Sequence, residues 1–154
     1  MRTGLSPRDR ACWLAGIAAA TGAFLVAIPG RRGWFDASVY YGTVRSWLYH
    51  DGGIYAYVAP GTRYGFTYPP FAAVCMLPMA LVSRSVAIAA VLVLNVAAAG
   101  AIGYWLVDPI ARRHGWSRLF TWAVAGCLLA AYGPVRDTFS FGQVNLMLLA
   151  VVLA

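Results

Sequence analysis

Whatever acid–base chemistry this chain performs must come from five aspartates: Asp9, Asp36, Asp51, Asp108 and Asp137. There is no glutamate and no lysine; all twelve cations are arginines. Asp36 stands out by its setting. It follows Trp34-Phe35 and precedes Tyr40-Tyr41, at the start of a long polar, aromatic stretch running from Trp34 to Phe71. Apolar segments flank that stretch on both sides. A carboxylate there can act as general base, taking the proton of a hydroxyl as the hydroxyl oxygen attacks an activated carbon. The same residue can instead cap a helix beginning at Ala37 and complement its dipole. The two roles are compatible. Asp51 before Gly52-Gly53 reads as a turn residue and His50 as a surface aromatic. Asp137 beside Arg136 reads as a local ion pair or cap. The Tyr and Trp rings of this stretch could stack on sugars, but anchoring at a membrane interface explains them more cheaply. No His, Cys and Asp spacing reads as a metal site. Cys12, Cys75 and Cys127 all fall within apolar runs and read as small core residues.

The surroundings of these residues are apolar. The chain of 154 residues is 61% hydrophobic and 11% charged, with mean hydropathy +0.67. Soluble domains carry about a quarter charged residues, so lipid is the expected solvent. The net charge of +7 points to anionic lipid headgroups rather than to nucleic acid, because no arginine cluster marks a soluble face. The fold class expected is all-α: a polytopic integral membrane helix bundle forming one domain over 1–154.

Apolar segments lie at 11–29, 66–82, 86–106 and 119–133, with a shorter one at 144–154. The first reads as an uncleaved membrane helix, preceded by Arg2, Arg8 and Arg10, with Gly16 and Ala20 as a small-residue packing face. From Asp36 to Tyr49, Val39, Tyr40, Val44, Trp47 and Leu48 share one face, which predicts a helix lying in the interface. Residues 54–58 read as extended and 59–65 as loop. Pro70 suits a helix's first turn, whereas Pro78 should kink the segment 66–82. Asn95, midway along 86–106, should hydrogen-bond a neighbouring helix. Residues 108–118 and 134–143 read as polar loop and polar turn.

Topology turns on 66–82. If it crosses, Arg112, Arg113 and Arg118 fall outside, against the positive-inside rule. If it re-enters as a kinked segment, that basic loop is cytoplasmic, and Asp36 and Gln143 share the outer face. The prolines and the short length favour re-entry. On this reading Gln143 faces the polar space near Asp36, and Asn145 bonds a neighbouring helix. The last run stops at Ala154, too early to cross, so the chain is expected to be the N-terminal part of a longer protein.

Several motifs occur in order. They are Phe35-Asp36-Ala37-Ser38-Val39-Tyr40, Gly53-Ile54-Tyr55, Phe66-Thr67-Tyr68-Pro69-Pro70-Phe71-Ala72-Ala73, and Pro134-Val135-Arg136-Asp137-Thr138-Phe139-Ser140-Phe141-Gly142-Gln143-Val144-Asn145. Together they resemble the N-terminal motifs of glycosyltransferase family 87, multi-span mannosyltransferases of the GT-C type. The resemblance implies transfer of mannose from a polyprenyl-phosphate-mannose donor to a lipid-linked glycan, forming α-(1→2) links at the extracytoplasmic face of the plasma membrane. It implies no cofactor. By resemblance Asp36 matches the catalytic base, while Tyr40, Arg63, Tyr68, Arg136 and Gln143 become candidate substrate contacts. Arg63 or Arg136 would hold the leaving phosphate. Members often carry Glu where Gly133 stands, so that carboxylate has no counterpart here. A reading from another class is a non-catalytic membrane fragment or helix-packing subunit.

Overall fold

The structure, a computed structural model, describes residues 6–27 and 32–154. Arg2, Arg31 and the end of the first apolar segment, 28–29, lie outside the described residues. Among the described residues seven α-helices follow in order: α1 (Pro7–Ala27), α2 (Phe35–Tyr49), α3 (Pro70–Met76), α4 (Arg84–Arg113), α5 (Arg118–Ala131), α6 (Gly133–Phe141) and α7 (Asn145–Leu153). A 3-10 turn, Leu77–Leu81, continues α3. The chain divides into two compact units. One comprises Arg31–Val96 with Thr138–Val144; the other comprises Met1–Gly30, Ala97–Asp137 and Asn145–Ala154.

The first unit holds the long polar stretch. Helix α2 buries Ala37, Val39, Tyr40, Thr43 and Val44. Trp47 and Leu48 remain exposed. The face expected to lie in a membrane interface is therefore partly covered by protein. The cover comes from Phe66, Ala73, Met76 and Met79, which pack with Tyr40 in one aromatic and aliphatic cluster. Tyr40 meets Phe66 and Tyr68 edge-on, at centroid distances of 6.3 and 5.6 Å. This geometry suits the ring quadrupoles.

Proline shapes the next element. Pro69 occupies the N-cap of α3 and Pro70 its first turn, where the missing N–H removes no helical bond. Pro78 cannot donate back along the chain, and the backbone tightens to 3-10 geometry from Leu77. Seven α-helical and five 3-10 residues rise about 20 Å. A hydrocarbon core is about 30 Å thick, so this segment is too short to cross unaided. Residues 54–56 form a turn rather than an extended run; pairing is confined to a bridge between Val58 and Gly65. Asp51 adopts φ 51°, as its place before two glycines predicts.

Helix α4 is longer than its apolar core and runs through Asp108 and Pro109 to Arg113. The residues expected to form a loop here continue the helix. Its last turns are tied by Asp108, nearly fully buried, which pairs with Arg112 Nε at 2.6 Å and Arg118 Nε at 2.5 Å. Among the described residues α4 alone is long and apolar enough to cross a membrane by itself; α5 and α6, bent by 69°, pass the same test together as one broken span. Within the second unit α1 packs on α5. The Trp122 ring lies where a side chain at Gly103 would stand. Cys12 and Cys75 are exposed and Cys127 half-buried, all free. They are not core residues: an apolar run does not tell which of its faces protein covers.

Helix α6 corrects the expected polar turn at 134–143. Pro134 in its first turn pre-sets the backbone. Gly142, in the left-handed region at φ 71°, ends the helix, and the Gln143 N–H donates to the Thr138 carbonyl at 2.9 Å. This is the six-to-one bond of a Schellman end. A Cβ on Gly142 would lie 2.6 Å from Ala37 Cβ. Gly142→Ala should therefore cost about 1–3 kcal/mol. A thermal midpoint within error of the wild type would contradict this account.

Candidate functional site

Helices α2 and α6 meet through their ends. The Trp34 N–H donates to the Ser140 carbonyl at 3.0 Å, and the Arg32 N–H to Ser140 Oγ at 3.0 Å. The Arg32 guanidinium lies 5.0 Å from the Phe141 ring centroid. These contacts bring the first turn of α2 against the residue that follows the Schellman glycine.

At that junction Gln143 Nε2 donates to Asp36 Oδ2 at 2.8 Å, across 107 positions of sequence. The Gln143 backbone carbonyl accepts from Asn95 Nδ2 at 2.8 Å. Asn95 is wholly buried on α4, and its amide also donates to the Val91 carbonyl at 3.0 Å. Asn95 thus bonds the helix end that carries Gln143, and Gln143 orients Asp36. The N-cap of α2 is Trp34, which makes no side-chain capping bond. Asp36 is therefore not the N-cap; it stands in the first turn of α2, where its charge complements the helix dipole.

The Asp36 carboxylate is half-buried and in no ion pair among the described residues. Its one hydrogen bond in the described structure, from Gln143, is to a neutral amide and uses Oδ2. Oδ1 is left to accept a proton.

One turn along α2, the Tyr40 hydroxyl donates to the Tyr68 hydroxyl at 3.3 Å. Burial pushes the Tyr40 phenol well up, reinforced by the Tyr68 hydrogen bond and by the charges of Tyr68 and Asp36. Tyr40 therefore stays protonated through the physiological range. Its ring, only 4% exposed, belongs to the core and is not free to stack on a sugar. Tyr68 is half-buried, and its carbonyl accepts from Tyr55 Oη at 3.0 Å. Arg63 is exposed at the tip of the 59–65 turn. Arg136 lies half-buried on α6, in the other unit. The structure thus joins Asp36 to Gln143 and Tyr40 to Tyr68, and leaves Arg63 outside both pairs.

On the opposite face of α2 is a cavity of about 450 Å³ lined by Arg32, Arg84, Phe35, Ser38, Tyr41 and Tyr57, among others. Arg84 Nη2 donates to Ser38 Oγ at 2.7 Å. Sequence reading passed over Arg32 and Arg84, which sit beside connections that look like plain turns.

Comparison with known proteins gives the family. The profile of "Glycosyltransferase family 87" matches residues 66–154. The chain belongs to glycosyltransferase family 87. Asp36 precedes the part covered by that profile, but longer alignments include more of the chain. A "Polyprenol-phosphate-mannose-dependent alpha-(1-2)-phosphatidylinositol mannoside mannosyltransferase" of Mycolicibacterium smegmatis is 31% identical over 136 residues, covering 81% of this chain and 29% of the relative. The protein of that name in Mycobacterium tuberculosis is 30% identical over 137 residues, covering 80% of this chain and 29% of its own length. A pentamannoside mannosyltransferase of Mycobacterium tuberculosis is 32% identical over 132 residues, 81% of this chain and 30% of that protein. The chain therefore spans under a third of the length of these relatives. No solved structure matches it. Family membership, together with an apolar helix of spanning length, makes this a membrane-associated chain.

Two outcomes follow from the site. Asn95→Ala removes the donor to the Gln143 carbonyl in a buried setting and should cost about 1–3 kcal/mol, measured as a lower thermal midpoint. Tyr40 ionises at higher pH in the folded than in the unfolded chain, so folding is unaffected below about pH 10. Above that the unfolded state loses its proton first, and stability falls as pH rises. Tyr40→Phe should reduce this alkaline loss of helical signal; an unchanged alkaline profile would refute the assignment.

Proposed function

We propose that the protein transfers mannose from polyprenyl-phosphate-mannose to a hydroxyl of a phosphatidylinositol-mannoside-type acceptor, forming an α-(1→2) link. The observation that carries this reading is the Asp36–Gln143 hydrogen bond within a chain of glycosyltransferase family 87. The names of its relatives supply the donor and the acceptor class.

The acceptor oxygen attacks C1 of mannose on the face opposite the phosphate. The C1–O bond to phosphate breaks, and its electron pair leaves on the phosphate oxygen, with inversion at C1. The hydroxyl proton passes to Asp36 Oδ1. Gln143 holds the carboxylate in position through the other oxygen, and Tyr40, kept neutral, adds no negative charge beside it.

The reaction is placed at the extracytoplasmic face of the plasma membrane, in a helix bundle with several membrane crossings. Support comes from the shortness of 70–81, which favours a re-entrant segment over a span. With α4 crossing and that segment re-entering, the basic residues Arg112, Arg113 and Arg118 fall on the cytoplasmic side. Arg63 and Arg136 are retained as candidate phosphate contacts, and Tyr68 as an aromatic near the sugar.

The test is Asp36→Asn, assayed in membranes with labelled polyprenyl-phosphate-mannose and a phosphatidylinositol mannoside acceptor. Asn keeps the size of the side chain but cannot take the proton. Transfer should fall by about 10²–10⁴-fold with expression and thermal midpoint near those of the wild type. Turnover at wild-type rate would sink the base assignment, and direct use of GDP-mannose by the purified protein would overturn the donor.

A further inference from the structure

Helix α2 presents different residues on its two sides. Asp36, Tyr40 and Thr43 recur at helical spacing on one; Phe35, Ser38, Tyr41 and Gly42 recur on the other. The second side forms a wall of the 450 Å³ cavity. Two arginines also line it, Arg84 and Arg32, whose guanidinium lies 5.0 Å from the Phe141 ring centroid and leaves its N–H edge to other partners; neither is paired with a carboxylate among the described residues. Arg84 spends one N–H on Ser38 Oγ, and Ser38 in turn donates to the Trp34 carbonyl at 2.8 Å. Ser38 thereby spends its only proton on the backbone and holds the Arg84 fork as an acceptor. The remaining N–H groups of Arg84 have no partner in the described structure. The rest of the lining is aromatic or aliphatic: Phe35, Tyr41, Tyr57, Ala59 and Pro60. Residue 42, in the same wall, is glycine. A Cβ there would run into the Tyr57 ring, so only glycine lets that ring lie against α2.

Two unneutralised guanidinium forks over ring-sized apolar walls recognise a phosphate ester carrying a polyol or sugar. We propose that this cavity binds the headgroup phosphate of the anionic acceptor lipid. This rests on the mannosyltransferase reading and adds a second subsite to it. The choice of acceptor over donor follows from bonding. In the donor, phosphate is attached directly to the carbon under attack, so it must lie on the side of α2 where Asp36 works. In the acceptor, at least one ring separates the phosphate from the reacting hydroxyl. A phosphate across the helix from Asp36 therefore belongs to the acceptor.

Direct binding to the detergent-purified protein separates the possibilities. Dioctanoyl phosphatidylinositol, dioctanoyl phosphatidylcholine and farnesyl phosphate serve as probes, with retention read by native mass spectrometry. Phosphatidylinositol should bind in preference to phosphatidylcholine. Arg32→Gln combined with Arg84→Gln should weaken phosphatidylinositol binding by about tenfold or more, the scale of a lost charge-assisted hydrogen bond, and leave farnesyl phosphate unchanged. Arg32→Gln alone leaves the Arg84–Ser38 bond intact and should give part of the loss, while Arg84→Lys restores part of it, so misfolding of the double variant cannot decide the matter. Selective loss of farnesyl phosphate would assign the cavity to the donor and overturn the proposal. Unchanged binding of both probes would remove the site altogether. Asp36→Asn should bind phosphatidylinositol like the wild type. If that variant also turned over normally, the catalytic reading would fail while the lipid site stood; if it were inactive and the arginine variants still bound the lipid, only the lipid site would fail.

Discussion

The arrangement of this site depends on one helix ending. Gly142, in the left-handed region, closes α6 with a Schellman bond and turns the chain so that Gln143 leaves the helix beside α2. Gln143 then makes two bonds that no helix interior would allow together. Its carbonyl, released from helical bonding, accepts from the buried Asn95, and its side chain donates to Asp36. A hydrogen bond to a charged group contributes about 1.5–3 kcal/mol, roughly twice an ordinary one. The steric condition is equally narrow. Ala37 is fully buried and lies against Gly142, so both helices need small residues at the crossing. The acid and its orienting amide meet because neither chain places a larger side chain there.

Around that crossing α2 does two jobs. Its first turns supply both the acid and the residues that bury it: Tyr40 joins Phe66 and Ala73 in the core, one turn from Asp36. The other side carries Ser38 and Tyr41. Tyr41 accepts from Arg45 Nη1 at 2.9 Å and donates to the Val82 carbonyl at 3.2 Å. A helix lying free in an interface would have one polar and one apolar side. This helix is polar on both sides at its N-terminal end and apolar between them, because protein packs on it there. Only its last turns, with Trp47, Leu48 and Tyr49 exposed, keep the expected interfacial character.

How far the sequence discloses this varies by element. The α4 core was legible because an uninterrupted apolar run of spanning length has few other solutions. Its extension to Arg113 was not, since Asp108 and Pro109 read locally as a stop. The pairing that sustains it reaches forward to Arg118, beyond the helix. Helix α6 was missed for a related reason. Arg136, Asp137, Thr138 and Ser140 make it too polar for a hydropathy reading, and its start and stop marks, Pro134 and Gly142, equally describe a turn. The cysteines were misread because an apolar segment does not say which of its faces meets protein. Asp36 was singled out by its setting, yet spacing alone could not separate base from cap. The contact that orients its carboxylate, from Gln143, spans 107 positions, and no local period encodes it. Arg32 and Arg84 gave no signal in sequence because their cavity exists only once α2 lies against the 57–60 turn.

Two aspartates in this chain show what that separation rests on. Asp108 is nearly fully buried, with one oxygen on the Arg112 guanidinium and the other on the Arg118 guanidinium. Both oxygens are taken by permanent cations, since arginine keeps its proton throughout the accessible range. A carboxylate so placed fastens a helix end and has nothing left to offer a substrate. Asp36 has a neutral amide on one oxygen and no guanidinium. Its charge is oriented without being cancelled, and its second oxygen stays available. The same side chain fastens a helix end in one place and keeps one oxygen without a partner among the described residues in the other, and the difference is made by its neighbours. The small residues at the helix crossing, the helix stop at Gly142 and the buried Asn95 together hold Gln143 against Asp36.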